Sequence, residues 1–326
     1  MSGLFLLPLL AAPLLFAAHI QADRLVRPRR TAAPHTPARL GIAHWEDVSF
    51  TTGDGLTLRG WFVPPRPDSG GAAVVCAHGT AGHRGHLLAH AAALHAEGYG
   101  ALLFDLRAHG ESDGSVSGVG LHEHRDVLAA LEYVRSRPDV DARRVALLGH
   151  SMGGAAVLRA AARTPHARAV VSIASAASLA ENVASGVRAF THLPAFPLAP
   201  LVVWVAERRT RGRMRDMRPV ADAARLRDQP LLLIHGDADR VVGIENGRRL
   251  REAHGSAQLL EIAGAGHLGV IGPRHLARYH GAMLGFLRLH LRSGTTAAAA
   301  AAGTPTFEHG PPRGAPEQAE QETVHT

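Results

Sequence analysis

Gly149-His150-Ser151-Met152-Gly153-Gly154 is the most informative segment of this sequence. An apolar run, residues 145–148, comes directly before it, and an alanine-rich helical pattern, residues 155–163, follows it. Strand, sharp turn and helix in this order form the setting in which a Gly-x-Ser-x-Gly sequence presents a nucleophilic serine. Side chains in place of the flanking glycines would collide in so tight a turn, whose strained backbone lifts the serine hydroxyl above the sheet. The sequence therefore predicts a nucleophile at Ser151.

Two further residues lie where partners of this serine are expected. Asp239 comes shortly after the apolar run 231–234, and His267 follows a second expected strand, residues 259–262. Because the carboxyl ends of parallel strands share one edge of a sheet, all three side chains can converge there. Asp237 is the alternative acid, two residues before Asp239.

The three residue types fit nucleophilic catalysis. A serine hydroxyl is a poor nucleophile near neutral pH and needs an adjacent base. An imidazole titrates near neutrality, so His267 can take the proton and return it. A buried carboxylate fixes the imidazole tautomer and stabilises the imidazolium that forms. We therefore expect Ser151, Asp239 and His267 to be the catalytic residues.

The chain resembles the α/β-hydrolase superfamily from about residue 45 to residue 292. It carries the order serine, acid, histidine, an Asp-x-Arg-x-x-Gly-x-Ser loop at residues 105–112 and a His-Gly-x-x-Asp-x-x-Val loop at residues 235–242. These loops resemble most the branch of serine aminopeptidase-like and prolyl-oligopeptidase-like hydrolases and their small esterase relatives. The resemblance implies an α/β fold, with a mostly parallel sheet, helices on both faces and a small lid insertion.

The resemblance also implies an oxyanion hole. The sequence Cys76-Ala77-His78-Gly79-Thr80 ends an apolar run, as the His-Gly-x loop of the family does. It places one backbone N–H donor at Thr80, with Ala81 as the neighbouring alternative. The second donor would be the N–H of Met152, directly after the nucleophile.

The charge of the chain does not indicate a nucleic-acid-binding protein. The net charge is +7, and all 35 basic residues are arginines. No nucleic-acid-binding module is present, and aromatic residues make up only 5% of the chain. A single cysteine, Cys76, excludes an internal disulfide framework.

The sequence predicts neither a metal nor a cofactor. His122 and His124 are two residues apart in a helical pattern, so their rings point to different faces. The pair Asp237 and Asp239 begins like a calcium loop, but Arg240 and Val241 follow where oxygen ligands are needed. No glycine-rich phosphate loop occurs.

The N-terminus predicts membrane association. Residues 3–20 are uncharged, and Arg24, Arg27, Arg29 and Arg30 follow. We expect residues 1–22 to be a single membrane anchor. The catalytic domain is expected in the cytoplasm, because the arginine-rich flank of a membrane span stays on the cytoplasmic side. The alternative is a cleaved signal peptide and a secreted enzyme. Residues 23–44 are expected to be a linker. Deleting about the first 40 residues should give a soluble protein with its esterase activity intact, because every expected catalytic residue lies beyond Trp45.

The remaining chain is expected to form one domain and a tail. A hairpin is predicted at residues 45–63, around Gly53-Asp54-Gly55. Strands are expected to alternate with helices after it, and the lid is expected at about residues 175–230, which include an apolar and an arginine-rich stretch. An apolar stretch beside a basic one can lie on a membrane surface. We favour the alternative, in which the lid covers the active site and its arginines are exposed to water. Residues 293–326 are expected to be disordered.

Three functions remain open at this stage. The first is a serine hydrolase that cleaves a small carboxylic ester, thioester or amide through an acyl-enzyme on Ser151. The second is a serine peptidase or aminopeptidase that acts on short peptides. The third is a binding protein with a hydrolase fold and no activity, which the complete set of Ser151, Asp239 and His267 argues against.

Overall fold

The computed structural model describes residues 6–191 and 194–291. The predicted tail, residues 293–326, and the first residues of the predicted anchor lie outside this range. The chain begins with helix α1 (Leu6–Val26). Eight strands follow: β1 (Glu46–Thr51), β2 (Thr57–Val63), β3 (Ala73–Ala77), β4 (Gly100–Phe104), β5 (Val145–His150), β6 (Val170–Ile173), β7 (Leu231–Gly236) and β8 (Gln258–Ile262). The other helices are α2 (Leu88–Ala96), α3 (His124–Arg135), α4 (Met152–Ala161), α5 (Leu179–Thr191), α6 (Ala195–Thr210), α7 (Pro219–Arg225), α8 (Glu245–His254) and α9 (Pro273–His290).

The strands form one sheet in the order β1-β2-β4-β3-β5-β6-β7-β8. Strand β2 runs antiparallel to β1 and β4, whereas β4, β3, β5, β6, β7 and β8 all run parallel to one another. The predicted hairpin is formed by β1 and β2. The predicted α/β-hydrolase fold, with a mostly parallel sheet and helices on both faces, is confirmed.

The central strands are buried on both faces, which explains their continuous apolar sequences. In β3, Val75 packs with α3 and α4 on one face, while Val74 packs with α2 and α9 on the other. Alternate residues of a strand point to opposite faces, so a run of apolar residues serves both layers. The core therefore lies in two layers around the sheet.

The register brings the ends of β5, β7 and β8 to the same edge. His150 pairs with Ile173 of β6, Ile173 pairs with Ile234 of β7, and Gly236 pairs with Ile262 of β8. The residues that follow these three strands therefore emerge close together. This edge carries every residue that the sequence predicts to be catalytic.

The N-terminal prediction is corrected by the structure. Within residues 6–191 and 194–291, no helix is both long enough and apolar enough to cross a membrane. Instead, α1 packs against α6, and its residues Ala18, Ala22 and Val26 are fully buried in the core. The predicted transmembrane anchor is thus not supported, because the inner face of this helix is covered by protein. The cellular location stays a prediction.

The chain between β6 and β7 is mainly helical, at the position where the lid is expected. It contains α5, α6 and α7. Helices α5 and α6 pack against each other, and α6 also contacts α1. We call α1, α5 and α6 together the cap.

Candidate active site

Ser151 lies in the sharp turn between β5 and α4. Its backbone has φ 55° and ψ −118°, a strained conformation for a residue with a side chain. Its N–H donates to the carbonyl of Ile173, 2.8 Å away, which ties the turn to β6. A Cβ at Gly149 would lie 2.3 Å from the Gly153 carbonyl oxygen, and one at Gly153 would lie 2.2 Å from that of Ala77. The predicted steric need for both glycines is confirmed.

A chain of hydrogen bonds joins Ser151, His267 and Asp239. The distance from Ser151 Oγ to His267 Nε2 is 2.8 Å, and that from His267 Nδ1 to Asp239 Oδ2 is 2.7 Å. In the tautomer that fits both contacts, the Nδ1–H donates to the carboxylate and Nε2 accepts from the serine. A histidine held in this way can act as a general base towards the serine hydroxyl.

The two candidate acids have different environments. Asp239 is buried, and its Oδ1 accepts the N–H groups of Val241 and Val242, each 2.8 Å away. Burial by itself would raise the pKa of Asp239, but hydrogen bonds from His267 and these two N–H groups outweigh it and keep the pKa below its usual value. Asp237 is exposed and accepts the Gly264 N–H at 2.7 Å. The geometry thus brings Asp239, and not Asp237, to His267.

Two histidines that the sequence did not assign to this contact support the site. His150 Nε2 donates to the carbonyl of His267, 3.1 Å away. Burial, together with the nearby His267, lowers the pKa of His150 to about 3, so it is neutral near pH 7. His235 Nε2 donates to the carbonyl of Val242 at 2.7 Å and steadies the loop that carries Asp239. The only sequence signal was their position within the last two residues of β5 and β7.

The predicted oxyanion donors border the same cavity as Ser151. Thr80 and Met152 both line it, and a Cβ at Gly79 would lie only 3.1 Å from Ser151 Cβ. Met152 is the first residue of α4, where backbone N–H groups have no partner within the helix. The alternative, Ala81, donates its N–H to His109 Nε2 at 3.2 Å and is engaged elsewhere.

His78 holds the loop of Thr80 in place. Its Nδ1 lies 2.8 Å from the Gly79 carbonyl and donates to it, while its Nε2 accepts the N–H of Leu106 at 3.1 Å. Burial first, and the neighbouring His109 second, lower the pKa of His78 well below its ordinary value. A neutral histidine with both nitrogens occupied supports the loop rather than acting as a base.

Asp105 holds the loop that carries Arg107, residues 105–112, by accepting backbone N–H groups. Asp105 accepts the N–H of Arg84 at 2.7 Å and that of Glu111 at 3.0 Å. Arg107 instead pairs with Asp126 and Asp54, with Nε and Nη1 contacts of 2.9 and 2.8 Å. Asp105 is therefore structural: it binds the loop at Glu111, while Asp126 and Asp54 hold the Arg107 side chain.

A cavity of about 740 Å³ opens over Ser151, within the range typical of small-molecule sites. Most of its walls are apolar side chains of the cap and of the loops above the sheet. They include Leu25, Val119, Leu179, Val183, Val187, Val202, Met217, Val241 and Val242. Within the described residues, no aspartate or glutamate lines this cavity. The arrangement can hold an apolar group beside a serine nucleophile.

Among residues 6–191 and 194–291, no group of three or more histidine, cysteine, aspartate or glutamate side chains is arranged to hold a metal ion. The prediction that the protein uses no cofactor stays a prediction.

Comparison with known proteins places the chain in a family. The model of the serine aminopeptidase family S33 matches residues 69–216. An uncharacterised protein of Mycobacterium tuberculosis is 32% identical over 238 residues, which are 73% of this chain and 77% of that protein. The chain belongs to the serine aminopeptidase S33 family of α/β-hydrolases.

Other members of the superfamily extend this likeness. This S33-family chain is 29% identical to the uncharacterised protein YfhR of Salmonella typhimurium over 89% of its own length and 95% of that protein. An esterase of Pyrococcus furiosus has a similar structure, with a TM-score of 0.69 and 26% identity, over 82% of this chain and 99% of the esterase. The resemblance to the hydrolase superfamily is confirmed.

Proposed function

We propose that the protein is a serine hydrolase of small carboxylic esters, with Ser151 as nucleophile, His267 as base and Asp239 as the residue that orients His267. The observation that carries this proposal is the unbroken set of hydrogen bonds from Ser151 Oγ to Asp239, placed beneath an apolar cavity. The esterase activity of the structural neighbour from Pyrococcus furiosus agrees with it.

The geometry supports a two-step reaction. Ser151 Oγ attacks the acyl carbon while its proton passes to His267 Nε2, and the oxyanion accepts hydrogen bonds from the N–H groups of Thr80 and Met152. The tetrahedral intermediate collapses, the alcohol leaves with the proton from His267, and an acyl-enzyme remains. A water molecule then loses a proton to His267 and attacks the acyl carbon, and the acid leaves as Ser151 regains its proton.

The cavity favours an ester over a peptide with a free amino terminus. An aminopeptidase must accommodate a substrate ammonium group, for which a carboxylate is the natural partner. The described lining contains no carboxylate, and it does contain the cation Arg24. Apolar walls instead favour a neutral acyl group. Hydrolysis of p-nitrophenyl butyrate should therefore exceed that of alanine p-nitroanilide, and the reverse order would favour the aminopeptidase.

The nucleophile can be tested directly. Ser151→Ala should lower kcat on p-nitrophenyl butyrate by at least about 10⁴-fold, as removal of a triad serine does in other enzymes. Ser256→Ala is the matched control, because Ser256 is exposed and lies away from the cavity lining. A fluorophosphonate should add to Ser151 in the wild type, as mass spectrometry of the peptides would show. Labelling that persists in Ser151→Ala would contradict the proposal.

A further inference from the structure

Helix α1 contributes a wall to the cavity above Ser151. Gln21, Arg24 and Leu25 line the cavity together with Ser151 and His267. These residues lie before residue 69, where the match to the family model begins. The sequence suggested that the N-terminal segment is separable from the catalytic domain. In the structure, this segment instead borders the cavity that contains Ser151 and His267.

The position of α1 is fixed by burial and by specific bonds. Ala18, Ala22 and Val26 recur every four residues and have no exposed surface, so one face of the helix packs into the core with α6. Asp23 forms an ion pair with Arg209 of α6. The N–H of Ser117 donates to the carbonyl of Val26 at 2.7 Å, which ties the end of the helix to the loop after β4.

The side chains that α1 directs at the cavity are suited to an acyl chain. Leu25 is half-buried and apolar. Elsewhere in the lining, α5 contributes Val183 and Val187, and α6 contributes Val202. Helices from two separate parts of the chain thus enclose one apolar space. The size of the side chain at position 25 therefore affects the volume of the cavity that is open to a substrate.

We propose that α1 is the N-terminal wall of the acyl-binding cavity and that Leu25 limits the length of the acyl chain that the enzyme accepts. This proposal rests on the esterase function proposed above and names its substrate class, neutral esters with an unbranched aliphatic acyl chain. Each methylene that enters such a cavity strengthens binding by about fourfold, so a wall that excludes a few methylenes has a large effect on selectivity.

The test compares chain-length profiles of three variants. Leu25→Trp narrows the cavity at α1, Leu25→Ala enlarges it, and Ile20→Trp adds a similar bulk to the same helix at a residue outside the cavity lining. For each, kcat/KM is measured with p-nitrophenyl acetate, butyrate, octanoate and dodecanoate. Circular dichroism and the rate of Ser151 labelling by a methyl fluorophosphonate show whether the site is assembled.

Leu25→Trp should lower the ratio of octanoate to acetate kcat/KM by about tenfold or more, the effect of losing two or more methylenes of burial. Leu25→Ala should raise the ratio of dodecanoate to octanoate. Ile20→Trp should leave both ratios within about twofold of the wild type, as an outward-facing substitution does. If Leu25→Trp does not fold, Leu25→Ala decides alone. Profiles of the Leu25 variants that match that of Ile20→Trp would overturn the proposal.

A second measurement separates this proposal from the esterase function. Decanoate should raise the Tm of the wild type and of Ile20→Trp, because a fatty acid can fill the cavity without any turnover. The increase should be lost in Leu25→Trp. If no ester is hydrolysed but the Tm values follow this pattern, the esterase function is wrong and the proposal that α1 forms a wall of the cavity is supported. If decanoate raises the Tm equally in all variants, or in none, the wall is overturned.

Discussion

Two regions of the molecule meet at the cavity, and they are built in different ways. We call the ends of β5, β7 and β8 and their following loops the triad edge. Here Asp239 has four hydrogen-bond contacts if both carboxylate oxygens and the N–H of Asp239 itself are counted. In the cap, α1 is held mainly by small apolar side chains such as Ala18 and Ala22, with an ion pair between Asp23 and Arg209.

This difference assigns different tasks to the two regions. Directional bonds fix atoms to within a fraction of an ångström, which general-base chemistry requires. Apolar contacts are not directional, so they define a volume rather than a geometry. Substitutions at the triad edge should therefore lower kcat for every substrate. Substitutions in the cap should change which substrates are accepted, or the stability of the fold.

The largest effect is expected at the acid of the triad edge. Asp239→Asn should lower kcat by about 10⁴-fold, the loss seen in a serine-protease triad when the orienting carboxylate becomes an amide and the wrong histidine tautomer is favoured. Asp237→Asn is the matched control and should stay within a few fold of the wild type, because Asp237 contacts Gly264 and not His267. Steady-state kinetics on p-nitrophenyl butyrate decides. A greater loss in Asp237→Asn would show that the acid is misassigned.

The next effect tests whether the triad edge needs its supporting bonds. His150→Phe removes the donor to the His267 carbonyl and leaves that carbonyl without its partner. The cost of such a loss, about 1–3 kcal/mol, would lower kcat by about 5- to 150-fold if it falls on the position of His267. His150→Gln keeps a donor and should recover part of the activity. Equal activity of the wild type and both variants would contradict a positioning role.

Much of the triad edge follows from local sequence. The fully buried strands appear as continuous apolar runs, and the residues after them fall at one edge because parallel strands share a direction. The glycines around Ser151 predicted a turn too tight for side chains, which the structure confirms. The contacts of His150 and His235 were not predictable, since a histidine at the end of a strand gives no sign of the carbonyl that it will bond. The catalytic roles stay predictions until the variants are measured.

The cap shows where local sequence fails. An uncharged run such as residues 3–20 fits a membrane span as well as a helix that packs on protein, because hydropathy does not say what covers an apolar surface. The spacing of Ala18, Ala22 and Val26 was a signal for the second interpretation, since small residues every four positions form a face on which another helix can pack closely. Its partner, α6, lies far along the chain, so only the tertiary structure could identify it.

The triad edge should also be the more acid-sensitive of the two regions. Burial lowers the pKa of His150 to about 3, whereas the unfolded chain has an ordinary histidine pKa near 6.5. Between these values the unfolded state binds more protons, so this histidine lowers the free energy of unfolding by about 1.4 kcal/mol for each unit of falling pH. His150→Gln should make the slope shallower by about that amount in urea titrations from pH 6.5 to pH 4. An unchanged slope would show that His150 is not held neutral.

The smallest effect is expected at the ion pair of the cap. Arg209→Ala removes one arginine partner of Asp23 and leaves the other, Arg27, in place. The Asp23 side chain is 41% exposed and that of Arg209 is 19% exposed. Solvent screens such a pair, so the free energy of unfolding should fall by at most about 1 kcal/mol. The loss of stability should be smaller in 1 M NaCl, because salt screens the attraction between partly exposed charges. The pH slope and the rate of Ser151 labelling should stay as in the wild type, since Arg209 does not line the cavity.

Arg208→Ala is the matched control for this variant, because Arg208 stacks on Trp204 instead of pairing with Asp23. A double-mutant cycle with Asp23→Ala isolates the pair from other contacts of either residue. If Arg209→Ala slowed the labelling of Ser151 as strongly as His150→Phe does, the cap would be part of the catalytic geometry, and the division between the two regions would be wrong.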